Sequence, residues 1–209
     1  MKVIKEEYKN KLYNFINKIS QYCDCICTTG SNLNPYIENP QDVDVVCLIK
    51  KEYFAGDISK IIRENEELQK EKTNLKENYN VSVLIVSPNV FSGWYKIKFY
   101  YRFGNYDLLY GELPQDILEE IPLNSSEFVK KYIEFGVGDA KEHLANRCMI
   151  QKHFYHTLTA LYFYINQKYE LTEEQIENIN IIHDNSNFEK SVKLINWAYD
   201  WLYNYKMNE

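Results

Sequence analysis

The distribution of strand-forming segments is the feature that most constrains the fold of this chain. Apolar and β-branched runs occur at 23–29, at DVDVVCLI (42–49) and at NVSVLIVSP (80–88), all in the first half. Runs of this kind, bounded by turn-forming residues, are typical of strands. After about Leu123 the apolar residues recur at helical spacing instead. The sequence therefore predicts an α+β protein, with a small mixed β-sheet domain followed by an α-helical bundle.

Helical periodicity and turn residues divide the chain further. Helices are predicted at 3–21, 57–78, 91–102, 125–146, 148–169, 172–183 and 188–205. Residues 103–114 contain glycine and proline breakers and are predicted to form an irregular connection. Thr172 followed by Gln175 predicts a capping box at one helix start. We expect one domain over residues 1–122 and a second, helical domain over residues 123–209.

The net charge and the distribution of apolar residues indicate which classes of partner the chain is not expected to bind. The chain has 209 residues and a formal net charge of -6, so it lacks the basic footprint of a duplex nucleic acid binder. Its first twenty residues mix charged and apolar side chains, unlike a signal peptide. No apolar run approaches membrane-spanning length. We therefore expect a cytoplasmic protein without a membrane partner.

Five cysteines raise the question of a thiolate metal site. They are Cys23, Cys25, Cys27, Cys47 and Cys148. The first three alternate, which predicts that all three lie on one face of a strand. They could bind a metal, or serve as small buried apolar side chains. The second interpretation is favoured because no matching second ligand cluster is present, and an odd number of cysteines indicates reduced thiols.

The pattern with the clearest chemistry is Gly30-Ser31, a ten-residue spacer, and then Asp42 and Asp44 on the next predicted strand. Glycine lets a phosphate approach the backbone, and serine adds a hydroxyl and an N–H. Residues two apart in a strand point the same way, so the two carboxylates share a face. Paired carboxylates suit Mg²⁺, which keeps other positions for water and phosphates. The pattern predicts a nucleotide site with Gly30 and Ser31 at the phosphates and Asp42 and Asp44 on the metal.

The segment TTGSNLNPYIENPQDVDVV resembles the signature of the DNA polymerase β type nucleotidyltransferase superfamily. FGNYDLLYGELPQDIL is similar to a segment that follows the catalytic sheet in minimal and antibiotic-modifying members. The resemblance implies Mg²⁺-dependent transfer of a nucleoside monophosphate from an NTP, with ATP as the first candidate, and Asp42 and Asp44 as catalytic metal ligands. The acceptor hydroxyl would belong to a small molecule, a protein or an RNA end. The acidic charge favours the first two, and a homodimer is one assembly to consider.

The sequence departs from the family pattern at one ligand. Members of the superfamily usually carry a third carboxylate on a following strand, and the equivalent position here falls at Ser82 or a neighbour. Glu77, Asp107 and Glu112 are the nearest acids that could deprotonate an acceptor instead. The alternative is an antitoxin-like interaction module that binds a nucleotide with little or no turnover.

A weaker pattern lies in the helical half. Arg147 and His153 resemble the Arg-x(4 to 6)-His motif of HEPN ribonucleases, in which an arginine could bind phosphate while a histidine transfers protons. On a single helix these residues would lie about 120° apart. An ordinary helix surface is the preferred interpretation, and the histidines of the chain show no metal-ligand spacing.

Overall fold

The computed structural model describes residues 4–90, 106–115, 127–147, 150 and 152–206. The chain divides into two compact units: Met1–Asn34 with Pro40–Glu119, and Pro35–Asn39 with Glu120–Glu209. The first unit contains a four-stranded mixed sheet, and the described part of the second is helical, so the predicted α+β class is confirmed. The boundary predicted between residues 122 and 123 lies outside the described residues.

The first unit is built around the sheet. Its long elements are α1 (Ile4–Ile19), β1 (Cys23–Thr29), β2 (Val43–Ile49), α2 (Ala55–Glu64), α3 (Glu66–Tyr79), β3 (Val81–Val86) and β4 (Asp107–Gly111). Single helical turns occur at Ser20–Tyr22, Ser31–Leu33 and Pro88–Val90. The strand order is β3-β2-β1-β4; β2 and β3 are parallel, and β1 is antiparallel to both of its neighbours. The three strands predicted from sequence are confirmed.

The two faces of the sheet have different environments. On the helix-covered face, Val43, Val45, Cys47 and Ile49 of β2 belong to a buried cluster with apolar residues of α1, α2 and α3. Tyr8, Leu12, Phe15, Ile16 and Ile19 form the buried stripe that the spacing of α1 predicts. The opposite face, here called the aspartate face, carries Asp44 and a smaller cluster that includes Cys27, Val46, Leu48 and Val86.

Two elements differ from the sequence prediction. The helix predicted over 57–78 is broken into α2 and α3 at Asn65, whose side chain accepts a hydrogen bond from the Leu68 backbone N–H and so caps α3. The irregular connection predicted over 103–114 contains β4, an edge strand that pairs with β1. β4 pairs with β1, which is distant in sequence, and local periodicity does not predict such a pairing. The helix predicted over 91–102 lies outside the described residues.

A β-bulge separates the cysteines that were expected on one face. Cys23 lies opposite Ile49 and Cys25 lies opposite Leu48, so two residues of β1 match one step of β2. Cys23 therefore joins the helix-covered face, whereas Cys25 and Cys27 join the aspartate face. The prediction of three thiols on one face is wrong because the strand is irregular at this step.

The second unit contains α4 (Glu127–Arg147), α5 (Phe154–Asn166), α6 (Glu173–Asp184) and α7 (Phe188–Lys206). Every residue of α5 from Phe154 to Tyr164 is buried, which makes it the central helix. Gly136 of α4 permits close packing, since a Cβ there would lie 2.0 Å from Thr157 Oγ1. The four predicted helices and the Thr172–Gln175 capping box are confirmed, although α5 begins six residues later than predicted.

The segment Pro35–Asn39 belongs to the second unit, where α6 binds its backbone. Asn180 Oδ1 accepts a hydrogen bond from the Glu38 N–H at 3.0 Å, and Asn180 Nδ2 donates to the Tyr36 carbonyl at 2.8 Å. Asn39 Nδ2 donates to Asp184 Oδ2 at 3.1 Å. Much of the spacer is therefore ordered by hydrogen bonds. Its content of proline and asparagine predicted only a loop or a broken turn of helix.

None of the helices in the described parts of the chain has both the length and the apolar character needed to cross a membrane.

Candidate functional site

Gly30 ends β1 in a conformation that other residues avoid. Its φ is 113° and its ψ is -175°, a region populated almost only by glycine. A Cβ at this position would lie 3.2 Å from Asp44 Oδ2 and 3.3 Å from the Asp44 backbone nitrogen. The structure therefore brings together the glycine and one of the two aspartates that the sequence pattern singled out.

The turn after Gly30 buries polar groups that lack hydrogen-bond partners among the described residues. The Leu33 N–H donates to the Gly30 carbonyl at 3.1 Å, which closes the turn around Ser31. Ser31 is 3% exposed, and among the described residues neither its Oγ nor Asn32 Nδ2 has a hydrogen-bond partner. A buried polar group without a partner costs about 1–3 kcal/mol. A ligand that supplies the missing partners would remove this cost.

Asp44 stands in a row of polar side chains across three strands. In the sheet register it lies opposite Thr29 of β1 and beside Ser82 of β3. Directly paired residues point to the same face, so the three side chains share the aspartate face. The row lies where β1 ends and where β2 and β3 begin. Asp44 is partly exposed.

Asp42 immediately precedes β2 and has the same strand parity as Asp44. Asn80 holds the backbone on both sides of it. The Asn80 side-chain amide donates to the Gln41 carbonyl, and the Asn80 carbonyl accepts from the Val43 N–H at 3.1 Å. Asn80 itself has a left-handed backbone that ends α3. The entry to β2 is thus fixed by a residue that the sequence pattern did not identify.

The acids considered as substitutes for the third carboxylate lie elsewhere. Asp107 is paired with Thr28, which puts it on the helix-covered face, and its Oδ2 is 3.2 Å from Lys9 Nζ. Glu112 follows the residue paired with Cys25, about 13 Å along β1 from the Asp44 end of the row. Glu77 is an exposed residue of α3. Within the described residues no group of three or more His, Cys, Asp or Glu could hold a metal ion.

At Ser82, one of the positions where the resemblance predicts a third carboxylate, the structure has a different contact. Ser82 lies beside Asp44, and its Oγ accepts a hydrogen bond from Lys76 Nζ at 2.8 Å. A lysine of α3 thus contacts a strand position next to Asp44. No sequence pattern predicted this contact, because Lys76 belongs to a charged helix of ordinary composition.

Comparisons with known proteins add no relative. No protein-family model matches the chain, and no curated protein or solved structure matches it. Membership of the nucleotidyltransferase superfamily therefore stays a prediction from the residues of the Thr29–Val46 segment. The structural observations that bear on it are the approach of Gly30 to Asp44, the buried turn at Ser31 and the row that includes Ser82.

The cysteines have the properties of structural thiols. A hydrogen bond to Cys25, together with burial, raises the pKa of the Cys27 thiol. A hydrogen bond to Cys23, together with burial, raises the pKa of the Cys47 thiol well above its usual value. Metal binding requires thiolates, which both effects disfavour. These observations support buried apolar packing for the four described cysteines, and Cys148 lies outside the described residues.

Arg147 and His153 do not share a helix. Arg147 is the last residue of α4, and His153 precedes α5 as an exposed residue. The expected 120° separation on one helix is therefore wrong, since a break separates the two positions. His156 is buried against the Tyr155 ring, and His183 Nδ1 lies 2.6 Å from Asp184 Oδ1. Any role of Arg147 and His153 in RNA cleavage stays a prediction.

Proposed function

We propose that this chain is a cytoplasmic, Mg²⁺-dependent nucleotidyltransferase of the DNA polymerase β type. Its nucleotide site consists of Gly30, Ser31, Asp42 and Asp44, and ATP is the first candidate substrate. The single observation that carries the proposal is the Gly30 backbone, which packs against the Asp44 carboxylate in a glycine-only conformation. The adjacent Ser31 hydroxyl is buried and has no hydrogen-bond partner in the described part of the chain. A ligand that supplies hydrogen-bond partners here would complete this turn.

Gly30 and Ser31 would bind the phosphates of the nucleotide. The missing Cβ of Gly30 leaves room for a phosphate beside the carboxylate, and the Ser31 hydroxyl would donate to a phosphate oxygen. Charge-assisted hydrogen bonds to phosphate are roughly twice as strong as neutral ones. A bound phosphate would thus provide partners for polar groups that have none among the described residues.

Asp42 and Asp44 would bind the metal through carboxylate oxygens, which Mg²⁺ prefers. A bound Mg²⁺ would draw charge from the α-phosphate and neutralise the leaving pyrophosphate. The acceptor hydroxyl oxygen would form a bond to the α-phosphorus while the bond from this phosphorus to the bridging oxygen of the β-phosphate breaks. The hydroxyl proton would pass to solvent or to a base on the acceptor side.

Binding of a nonhydrolysable ATP analogue with Mg²⁺, measured by calorimetry, tests the site. We expect Asp42→Asn and Asp44→Asn each to weaken binding by about a hundredfold, because a metal ligand is lost. Asp24→Asn is the matched control, since Asp24 is an exposed aspartate in the bulge of β1. Wild-type affinity in both site variants would refute the proposed site.

Transfer is tested separately from binding. Each α-labelled NTP is incubated with Mg²⁺ and with small-molecule, protein and RNA acceptors, and the label that becomes attached to an acceptor is counted. We expect transfer by the wild type and none by the Asp44→Asn variant. A small-molecule or protein acceptor is expected to be labelled before an RNA end, given the net charge of -6.

A second candidate function is a nucleotide-binding interaction module, of the antitoxin type, that binds without turnover. The contact that favours it is the Lys76–Ser82 hydrogen bond at the position of the missing third carboxylate. Tight binding of Mg-ATP with no transfer to any acceptor class would support this candidate over the enzyme. Transfer above the level of the Asp44→Asn variant would exclude it.

A further inference from the structure

We propose that Lys76 contacts the polyphosphate of the bound nucleotide and provides the second positive charge of the site, so that a single divalent cation suffices. This inference rests on the proposed function, since it names how the same site holds its substrate. Its starting point is the hydrogen bond of 2.8 Å from Lys76 Nζ to Ser82 Oγ. Ser82 adjoins Asp44 in the parallel pairing of β2 and β3, on the aspartate face.

Lys76 has the capacity for a further ligand. An ammonium group has three N–H donors, and the hydrogen bond to Ser82 uses one of them. Two other lysines near the sheet are paired with acids: Lys9 with Asp107, and Lys18 with Glu67 and Glu71. Among the described residues, Lys76 has no carboxylate within ion-pair distance. Its charge is therefore available to an anion.

Position and charge together select the kind of anion. Asp42 and Asp44 lie near the start of β2, and Ser82 is the residue next to Asp44 on β3. The Lys76 ammonium group at this edge would bind a phosphate oxygen of a nucleotide. The other phosphates of that nucleotide would lie at Gly30 and Ser31. A nucleoside has no phosphate oxygen that this ammonium group could bind. The substrate class is therefore a nucleoside polyphosphate.

The lysine also changes what the site can do to the acceptor. A third carboxylate would hold a second divalent ion, which lowers the pKa of a bound hydroxyl. An ammonium group attracts phosphate oxygens but does not coordinate the acceptor oxygen. The site therefore binds nucleotide strongly, whereas the acceptor must lose its proton by another route. Slow turnover relative to affinity is the expected kinetic consequence.

The affinity test uses a nonhydrolysable ATP analogue with Mg²⁺ and three variants. Lys76→Met is expected to weaken binding by about tenfold to a hundredfold, because a charge-assisted hydrogen bond is lost. Lys76→Arg keeps the charge and should restore affinity to within about threefold of the wild type. Lys70→Met is the matched control, since Lys70 is another exposed lysine of α3.

Adenosine is the probe that separates phosphate contact from a structural effect. Lys76→Met should leave its affinity unchanged, because adenosine carries no phosphate. A structural role for Lys76 would instead weaken adenosine and the ATP analogue in parallel, and Lys76→Arg would fail to restore binding. Either of these results would overturn the inference.

The metal count gives a readout independent of affinity. Mn²⁺ binding is followed by electron paramagnetic resonance in the presence of a saturating ATP analogue. One Mn²⁺ per chain is expected in the wild type, and two would overturn the inference. Failure of the wild type to bind any nucleotide would refute the proposed function and this inference with it. Equal binding by wild type and Lys76→Met would refute this inference alone.

Discussion

Two polar regions of the molecule differ in whether their buried polar groups have hydrogen-bond partners. In the Gly30–Asn32 turn of the first unit, the Ser31 hydroxyl and the Asn32 side-chain nitrogen are buried without partners among the described residues. In the second unit, Asn180 is 8% exposed and its amide makes three hydrogen bonds, to Glu38, Tyr36 and Ile176. Both regions are polar, but among the residues that the structure describes only the Asn180 region has partners for its buried groups.

This contrast distinguishes a structural polar group from one that serves a ligand. Paired groups such as those of Asn180 stabilise the fold, whereas unpaired ones lower its stability. An unpaired hydroxyl alone is weak support for a ligand site, and Ser191 within α7 has one too. The Gly30–Asn32 turn differs because it combines unpaired groups with a glycine-only backbone against a carboxylate. The predictions below are ordered by their expected effect on the free energy of unfolding.

The largest effect is expected from Gly30→Ala. The new Cβ would lie 3.2 Å from Asp44 Oδ2, on a backbone with a φ of 113°. We expect the free energy of unfolding in urea to fall by about 3 kcal/mol, from strain and displacement of Asp44. Gly138→Ala is the control, because Gly138 lies in α4 with no heavy atom within 4 Å of its added Cβ.

The control should change stability in the other direction. Alanine is a better helix former than glycine, so Gly138→Ala should raise the free energy of unfolding by about 0.5–1 kcal/mol. A Gly30→Ala variant as stable as the wild type would show that the turn tolerates a side chain. The special role given to this backbone would then be wrong.

Asn180→Ala should lower the free energy of unfolding by about 2 kcal/mol, because it leaves the Glu38 N–H and the Tyr36 carbonyl without partners. Hydrogen exchange gives the local readout: the Glu38 amide should exchange faster in the variant. Asn146→Ala, at an exposed position of α4, should change stability by less than about 0.5 kcal/mol. Equal stability of the two variants would contradict the structural role of Asn180.

Stability should fall at high pH through Tyr162. Burial raises the pKa of this phenol to about 12, although the hydrogen bond from Asn178 acts to lower it. The folded state keeps the proton to higher pH than the unfolded state, whose phenol has a pKa of about 10. The contribution of Tyr162 is therefore full below pH 10 and is lost as the pH rises through 12.

The expected loss for Tyr162 at pH 11 is about 1 kcal/mol relative to pH 9. Urea unfolding of wild type and Tyr162→Phe at both pH values isolates this effect from the other tyrosines. Tyr203→Phe, at a position that is 59% exposed, should retain the full pH dependence. A pH dependence that is the same in Tyr162→Phe and the wild type would assign the effect to other groups.

Ser31→Ala should have the smallest effect on stability and a clear one on binding. The hydroxyl it removes has no partner within the described residues, so the free energy of unfolding should stay within about 0.5 kcal/mol of the wild type. Affinity for Mg-ATP should fall by about tenfold. Ser191→Ala removes a similarly buried hydroxyl and should leave affinity unchanged. A stability loss in Ser31→Ala without a change in affinity would remove the distinction between the two regions.

Strong local signals made much of the fold predictable. The β-branched run of β2 and the apolar stripe of α1 depend on burial of neighbouring side chains, which periodicity reports well. The capping box at Thr172 is also local, because its two hydrogen bonds join residues three apart. The proximity of Gly30 to Asp44 agrees with what the spacing suggested, since β1 and β2 are adjacent antiparallel strands.

The missed features depend on distant partners or on one irregular residue. β4 is an edge strand that exists because β1 pairs with it, and the bulge at Cys23 and Cys25 reverses side-chain direction. Asn65 interrupts a charged helical run because its side chain caps the next helix. Lys76 lies in the last turn of α3 and donates to Ser82, and no distinctive sequence pattern marks this contact. Each case is decided by geometry that a local pattern does not contain.

The hydrogen bonds between Pro35–Asn39 and α6 have a consequence for synthesis of the chain. The Tyr36 carbonyl and Asn180 are separated by 144 positions in sequence. On the ribosome, the segment emerges long before the helix that binds it, so its backbone groups must be hydrated or bound by chaperones in the interval. Truncation before α6 would leave these groups without partners permanently. The second unit therefore completes its folding only after α6 has been made.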